Sequence, residues 1–357
     1  MGKSRIVLLT LALLAAGTLL ALLIRRQEAQ RLAASSVPQQ EIVYTGEEFL
    51  MDTFVTQRVY GKNGEETVRQ VNRLLQEMEG VYSGYLPDSE VSKVNAGAGI
   101  TAVEVSPEVF DVIRRSLELS EASGGVFDVT VAPLVRLWGI TTDSPRVPGA
   151  DEISNAQSYI GWDQAVLDEE AHTVFLPRPG ISLDLGAVVK GYAAEKCRDL
   201  YEKAGVTGGI VSLGGTVAAV GTRSDGTPFQ IGLRDPKGGS NDIFGVLSGE
   251  GRIIATSGGY ERYFEEDGKR YEHILDPRTG YPVETDLLSV TAVSGDGLLA
   301  DYLSTTLYML GSEVAADNLN RSEFSVIAVK NDGTILISED LRERFILKEN
   351  SGYTLAS

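Results

Sequence analysis

Cysteine is almost missing from this chain: there is one, Cys197, in 357 residues. That excludes an intramolecular disulfide framework and any cysteine-based metal site. With no cysteine near its start, the chain also offers none for a lipidated N-terminal anchor. Cys197 follows Val189 and Ala193 at four-residue steps along a helix face, so it reads as a small core residue and not a reactive thiol. Histidine is nearly as scarce, with His172 and His273 alone. Positive charge is short too, the net balance being −18. The first 26 residues hold four basic and no acidic side chains, which leaves 28 basic against 50 acidic over the remainder. Such a body repels phosphate backbones and excludes nucleic acid as a partner. It also means that a phosphate-bearing ligand needs local cations or a metal. The familiar nucleotide and hydrolase signatures are missing: there is no GxxxxGK[ST], no strand–GxGxxG–helix, no GxSxG and no HExxH. Leu213-Gly214-Gly215 reads as a strand-end turn. No internal repeat is visible.

One long apolar run is present. Lys3 and Arg5 precede 19 uncharged residues, 6–24, and Arg25 and Arg26 close them. The run exceeds the usual core of a cleaved signal, about 7–15 residues. At about 1.5 Å per residue it nearly spans a hydrocarbon layer about 30 Å thick. We expect residues 1–26 to be an uncleaved signal-anchor and 27–40 a polar linker, with the body, 41–350, outside the cell membrane. The LAASS stretch at 32–36 leaves a cleaved signal as the alternative.

In the body, Val68, Val71, Leu74, Leu75 and Met78 recur at helical spacing and predict a helix over 65–79. Ser106-Pro107 suits N-cap and first helical position, predicting a helix that Gly124-Gly125 stops. Two more are expected over 188–204, ended by Gly205, and 298–310, capped by Asp296 and ended by Gly311. Strand-type runs lie at 209–213, 229–233, 252–256, 288–293 and 324–329. This mixture lacks strict βαβ alternation and argues an α+β fold with largely antiparallel sheets. The clearest hairpin surrounds Asp267-Gly268, the pair favoured in type I′ turns. Its register sets Glu266 against Lys269, Glu265 against Arg270, Phe264 against Tyr271 and Arg262 against His273.

Four segments look too specific to be scaffold alone. GGVFDVTVAPLVRLWG (124–139) sets Asp128 beside an aromatic and a glycine pair. In LDLGAVVKGYA (183–193), Asp184 ends a strand-like run and Lys190 enters the next helix in its first turn, where a lysine suits a bound anion better than the helix dipole. Taken alone, that segment leaves Lys190 equally readable as a surface lysine. Residues 255–282 run from ATSGG to HILDPRTGYP, and their turns are expected to gather Ser257, His273, Asp276 and Arg278. His172, in a polar stretch, reads as a surface residue. In ADYLSTT (300–306), Asp301 and Thr305 share a helix face with Ser304 flanking, a hard-oxygen set suited to Mg²⁺ and not zinc. Together these point to a metal-assisted site for an anionic ligand.

Taken in order, these segments, with Met51-Asp52-Thr53, SGYLPDSEVSKVN (83–95) and VSLGG (211–215), resemble the FAD:protein FMN transferases of the ApbE family over roughly residues 48–312. The resemblance implies a two-lobed α+β fold that clasps FAD. It implies flavin contacts from Met51, Tyr85, Val126, Phe127, Asp128, Asp184, Lys190, His273 and Ile274. It further implies Mg²⁺ on Asp301, Thr305 and the Ala187 carbonyl, with Ser304 standing where some members place an acidic ligand and Asp52 where a glycine is common. The implied reaction moves FMN from FAD to a threonine or serine hydroxyl of a partner protein and releases AMP. His273 is then the candidate base, ahead of Asp276, and Asp301 the metal-side catalytic residue. The partner expected is a membrane redox-complex subunit or an extracytoplasmic flavoprotein, since the chain carries no DGxSGAT-like acceptor of its own. A metal-dependent FAD pyrophosphatase giving FMN and AMP is the alternative, and a non-catalytic flavin or solute carrier a third reading.

Overall fold

A sheet whose neighbours in space are neighbours in sequence organises the body. The computed structural model describes residues 42–249 and 251–356, so the anchor and linker readings lie outside the described residues. Nine strands form this sheet: Val43–Leu50 (β1), Thr53–Tyr60 (β2), Gly208–Leu213 (β3), Thr216–Gly221 (β4), Ile253–Ser257 (β5), Leu287–Ser294 (β6), Phe324–Lys330 (β7), Thr334–Ile337 (β8) and Thr354–Leu355 (β9). Each pairs antiparallel with the next except β8 and β9, which are parallel. The α+β, largely antiparallel expectation holds. The last strand extends the body past residue 350, the expected boundary.

The long β2–β3 connection carries helices Gly64–Tyr82 (α1), Pro107–Ala122 (α2) and Val189–Ala204 (α3), and Gly297–Leu310 (α4) joins β6 to β7. All four were legible from periodicity and stop signals. Val68, Val71, Leu75 and Met78 bury the predicted α1 stripe against Val55 and Val59 of β2. Gly205 ends α3 in the left-handed conformation, and Asp296 caps α4 by accepting from the Leu299 N–H at 3.0 Å. Cys197 is fully buried on α3 as expected, and burial pushes its thiol pKa up. Among the described residues no helix is long and apolar enough to cross a membrane.

Strand alternation splits the sheet's two faces into separate cores. Val290, Ala292, Val326 and Ala328 face the helices, whereas Ile254, Val293, Ile327 and Val329 face a second layer. That layer is a small sheet of Phe229–Arg234, Ile243–Gly249 and Phe345–Leu347. The run at 229–233 therefore belongs to the covering sheet and not to the central one.

Helices α3 and α4 cross with backbones almost touching. A Cβ on Gly191 would lie 1.9 Å from the Gly297 carbonyl oxygen, and one on Gly297 would lie 2.0 Å from that of Gly191. Neither glycine tolerates a side chain without separating the helices. We predict that Gly191→Ala lowers unfolding stability by about 2–3 kcal/mol, read as an earlier urea midpoint at unchanged slope. A midpoint equal to wild type would mean that the crossing is not tight.

Candidate active site

The hairpin turns, helix starts and strand ends on one side of the central sheet enclose a cleft of ≈ 360 Å³. It is lined by Met51, Tyr85, Val126, Phe127, Asp128, Asp184, Ala187, Lys190, His273, Ile274, Asp301 and Thr305, which brings every residue expected at the flavin or the metal, except Ser304, to one place.

Asp301 forms the floor. It is 6% exposed; its Oδ2 accepts the Gly191 N–H at 2.7 Å and its Oδ1 the Thr216 hydroxyl at 3.0 Å. Burial raises its pKa, opposed by Lys190, the Gly191 N–H and the Thr216 hydroxyl. Each carboxylate oxygen still has a lone pair to offer. One turn along α4, the Thr305 hydroxyl lies 3.0 Å from Ser257 Oγ. One carboxylate, a hydroxyl and the nearby Ala187 backbone make a hard-oxygen set that fits Mg²⁺. Among the described residues no group of three or more histidine, cysteine, aspartate or glutamate residues gathers to hold a metal. A dication here thus needs oxygens from a ligand as well.

His273 follows the predicted hairpin, whose ladder pairs Phe264 with Tyr271, Glu265 with Arg270 and Glu266 with Lys269. Positive φ at both Asp267 and Gly268 fits the type I′ turn. The Phe264 and Tyr271 rings stack at 5.2 Å. Tyr271 packs on Trp138 at 5.6 Å, and Trp138 Nε1 donates to the Gly280 carbonyl at 2.9 Å. The aromatic tail of GVFDVTVAPLVRLWG thus clamps the HILDPRTGYP turn. Beyond the ladder, the His273 N–H donates to the Arg262 carbonyl, whose oxygen is also 3.1 Å from Nδ1. A carbonyl only accepts, so Nδ1 carries the proton and Nε2 keeps its lone pair. Burial, with Lys190 and Arg262 nearby, pulls the pKa of His273 down to about 4. The ring is neutral at physiological pH.

Lys190 donates to the Gly186 carbonyl at 2.6 Å, in the turn that Asp184 shapes by accepting the Gly186 N–H at 2.8 Å. Tyr85, 60% exposed, points its hydroxyl to Asp184 Oδ2 at 3.4 Å. The Asp128 carboxylate reaches the cleft wall but is engaged by Thr130 and by the Trp162 N–H, so it holds the 126–131 turn in shape.

Three expectations need correction. Ser304 does not line the cleft: it is fully buried, contacting Ser257 Oγ at 2.8 Å and donating to the Asp301 carbonyl at 2.9 Å. It flanks Asp301 on the helix, but its hydroxyl is used up by Ser257 of β5 and the Asp301 carbonyl and does not reach the cleft. Asp276 and Arg278 do not join Ser257 and His273 in the cleft; Asp276 accepts the Arg278 N–H at 2.9 Å and pairs with its guanidinium at 2.8 Å. That is a turn-stabilising pair, which removes Asp276 as a base. His172 is half-buried against Phe110, ring centroids 5.3 Å apart.

Some residues and one turn that build the site were missed. Thr216, which orients Asp301, carries no motif signal, because its role depends on β4 meeting α4. Met51 and Asp52 form a two-residue turn between β1 and β2 with φ of 53° and 56°. A glycine there would have announced the hairpin; without one it stayed hidden. Arg262 holds that strained turn by donating to the Asp52 carbonyl and carboxylate. Glu272 was also overlooked: its Oε2 accepts from the Tyr308 hydroxyl at 2.9 Å, and that hydroxyl accepts the Gly259 N–H at 3.1 Å.

The ApbE family model matches residues 51–328. A FAD:protein FMN transferase of Klebsiella pneumoniae is 36% identical over 304 residues, 85% of this chain and 94% of that protein. The crystal structure of the ApbE protein from Thermotoga maritima superposes with a TM-score of 0.79 at 30% identity, covering 85% of this chain and 99% of that one. The flavin transferase ApbE from Vibrio cholerae superposes at 0.76 and 26% identity, with coverage of 85% and 99%.

Burial pushes the Glu272 pKa up to about 7, against the pull of Tyr308 and Arg270. A raised carboxyl pKa stabilises the fold fully below the unfolded value and loses that contribution as pH rises through about 7. Glu272→Gln, which keeps the Tyr308 bond, should therefore gain about 2 kcal/mol relative to wild type between pH 5 and pH 8 in urea unfolding. Parallel pH profiles for the two proteins would contradict this placement of Glu272.

Proposed function

Because this chain belongs to the ApbE family and is a flavin transferase, we propose that it moves FMN from FAD onto a threonine or serine hydroxyl of a partner protein and releases AMP. The observation that carries the reading is one cleft holding a backbone-pinned buried carboxylate, a lysine and a neutral histidine with a free ring nitrogen. Lys190 counters diphosphate charge that the acidic body would otherwise repel. Arg262 fixes the His273 tautomer, and Nε2 takes the proton of the attacking hydroxyl. The hydroxyl oxygen bonds to the FMN phosphorus as the bond to the AMP oxygen breaks, so the partner gains a phosphoester and AMP leaves. Mg²⁺, held by Asp301, the Thr305 hydroxyl and the Ala187 carbonyl, would neutralise charge on the diphosphate. The apolar run at 6–24 would tether the body on the outer side of the membrane, where a membrane redox-complex subunit or an extracytoplasmic flavoprotein can meet it.

The test is incubation of the full chain with FAD, Mg²⁺ and a threonine-bearing acceptor domain. We expect one FMN phosphoester per acceptor by mass spectrometry and equimolar AMP. Free FMN with an unmodified acceptor would establish the pyrophosphatase instead. Asp301→Asn should slow transfer about a hundredfold or more. His273→Ala should slow it about 10²–10⁴-fold while leaving the FAD dissociation constant nearly unchanged. An equal loss in binding would remove His273 as base. The neutral ring is the active form, so kcat/KM for FAD should stay level from neutral pH downward and fall only as pH drops through about 4.

A further inference from the structure

A hydroxyl on a partner has to cross the rim of the cleft, and one stretch of rim differs from the rest. The β1–β2 hairpin ends in the Met51–Asp52 turn that lines the cleft. Directly behind it Phe49 and Phe54 stand opposite each other, rings edge-to-face at 5.3 Å. They are 59% and 77% exposed, a paired aromatic patch and not scattered single residues. Strand alternation puts Thr56 and Arg58 on the same face as Phe54. Ser212 and Ile210 of β3, their cross-strand partners, lie alongside.

This face runs into a groove of ≈ 430 Å³ bounded by Arg58, Ile210, Arg223 and Phe229. Phe229 of the covering sheet walls one side of it, and toward Phe49 and Phe54 the face of the central sheet is exposed. Arg58 has no carboxylate partner among the described residues, and Arg223 has only the exposed Asp225 at 3.8 Å. Glu47, opposite Thr56, is the acid on this stretch. In a chain of net −18, two paired phenylalanines next to the cleft-lining turn, with two arginines farther along the same sheet face, match a protein surface that offers apolar and acidic groups together.

We propose that this exposed sheet face docks the acceptor protein, with Phe49 and Phe54 as the anchor and Arg58 and Arg223 meeting its acidic groups, so that the hydroxyl-bearing segment enters over the Met51–Asp52 turn. The inference rests on the transferase reading and names where that reaction's protein substrate binds. A short peptide needs only the cleft; a folded acceptor needs the face as well.

The experiment uses the full chain in detergent micelles, a folded threonine-bearing domain that receives FMN, and the short peptide around that threonine. For Phe49→Ser/Phe54→Ser we expect kcat/KM toward the domain to fall about thirtyfold or more, with the peptide rate and the FAD dissociation constant unchanged. Arg58→Glu should weaken the domain reaction further and flatten its dependence on salt. An unchanged domain rate, or equal losses on domain and peptide, overturns the docking face. So does a loss seen only in anionic lipid vesicles, which would make the patch a membrane contact, or a shift in oligomeric state, which would make it a contact between copies. A wild-type chain that leaves the domain unmodified defeats the transferase reading, and the docking face with it.

Discussion

The hydrogen bond from the Gly191 N–H to the Asp301 carboxylate holds the site together. It exists because α3 and α4 cross at two glycines, close enough for a backbone amide of one helix to reach a side chain of the other. Thr216 supplies the second contact from the start of β4. Three distant parts of the chain thus converge on one carboxylate, and the close-packed crossing leaves it little freedom. A buried charge held this way costs desolvation, which the raised pKa of Asp301 reflects. A cation in the cleft offsets that cost, and so the same carboxylate that strains the fold suits it for a charged ligand.

The electrostatic logic extends outward from that floor. The surface is strongly acidic, yet the cleft places Lys190 and Arg262 among its walls. Those cations, with burial, keep His273 neutral. A charged imidazole would attract the diphosphate but would have no lone pair for an incoming proton. On the proposed reading the site divides two jobs: lysine and arginine would meet the ligand's charge, and histidine would stay free for proton transfer. The Arg262 carbonyl joins the halves, since it sets the histidine tautomer while the same residue's guanidinium ties down the Met51–Asp52 turn.

Much of this could be read from the residues because the signals were local. Helices α1 to α4 announced themselves through spacing, caps and glycine stops. Asp267-Gly268 carried its hairpin's register, and the ordered motifs carried the family. What escaped depended on contacts between distant segments or on exceptions to local rules. The β1–β2 turn uses methionine and aspartate where the preferred chemistry is Asn-Gly or Asp-Gly. Thr216 and Glu272 matter only through α4. Ser304 sits one residue before Thr305, and helical geometry sends neighbouring side chains in directions about 100° apart, one to the cleft and one to the core. Asp276 looked like a site residue by its place in the motif, although Arg278 two residues on already claimed it.

One consequence is directly measurable. On the proposed reading, a single carboxylate with hydroxyl and carbonyl oxygens would hold a dication weakly, and the diphosphate would complete the site. Calorimetric titration of the full chain with Mg²⁺, with and without saturating FAD, separates the cases. We predict weak or no binding to the chain alone and one tight site per chain once FAD is present, absent in both conditions for Asp301→Asn. Tight Mg²⁺ binding without FAD, or the same binding in the variant, would contradict this account.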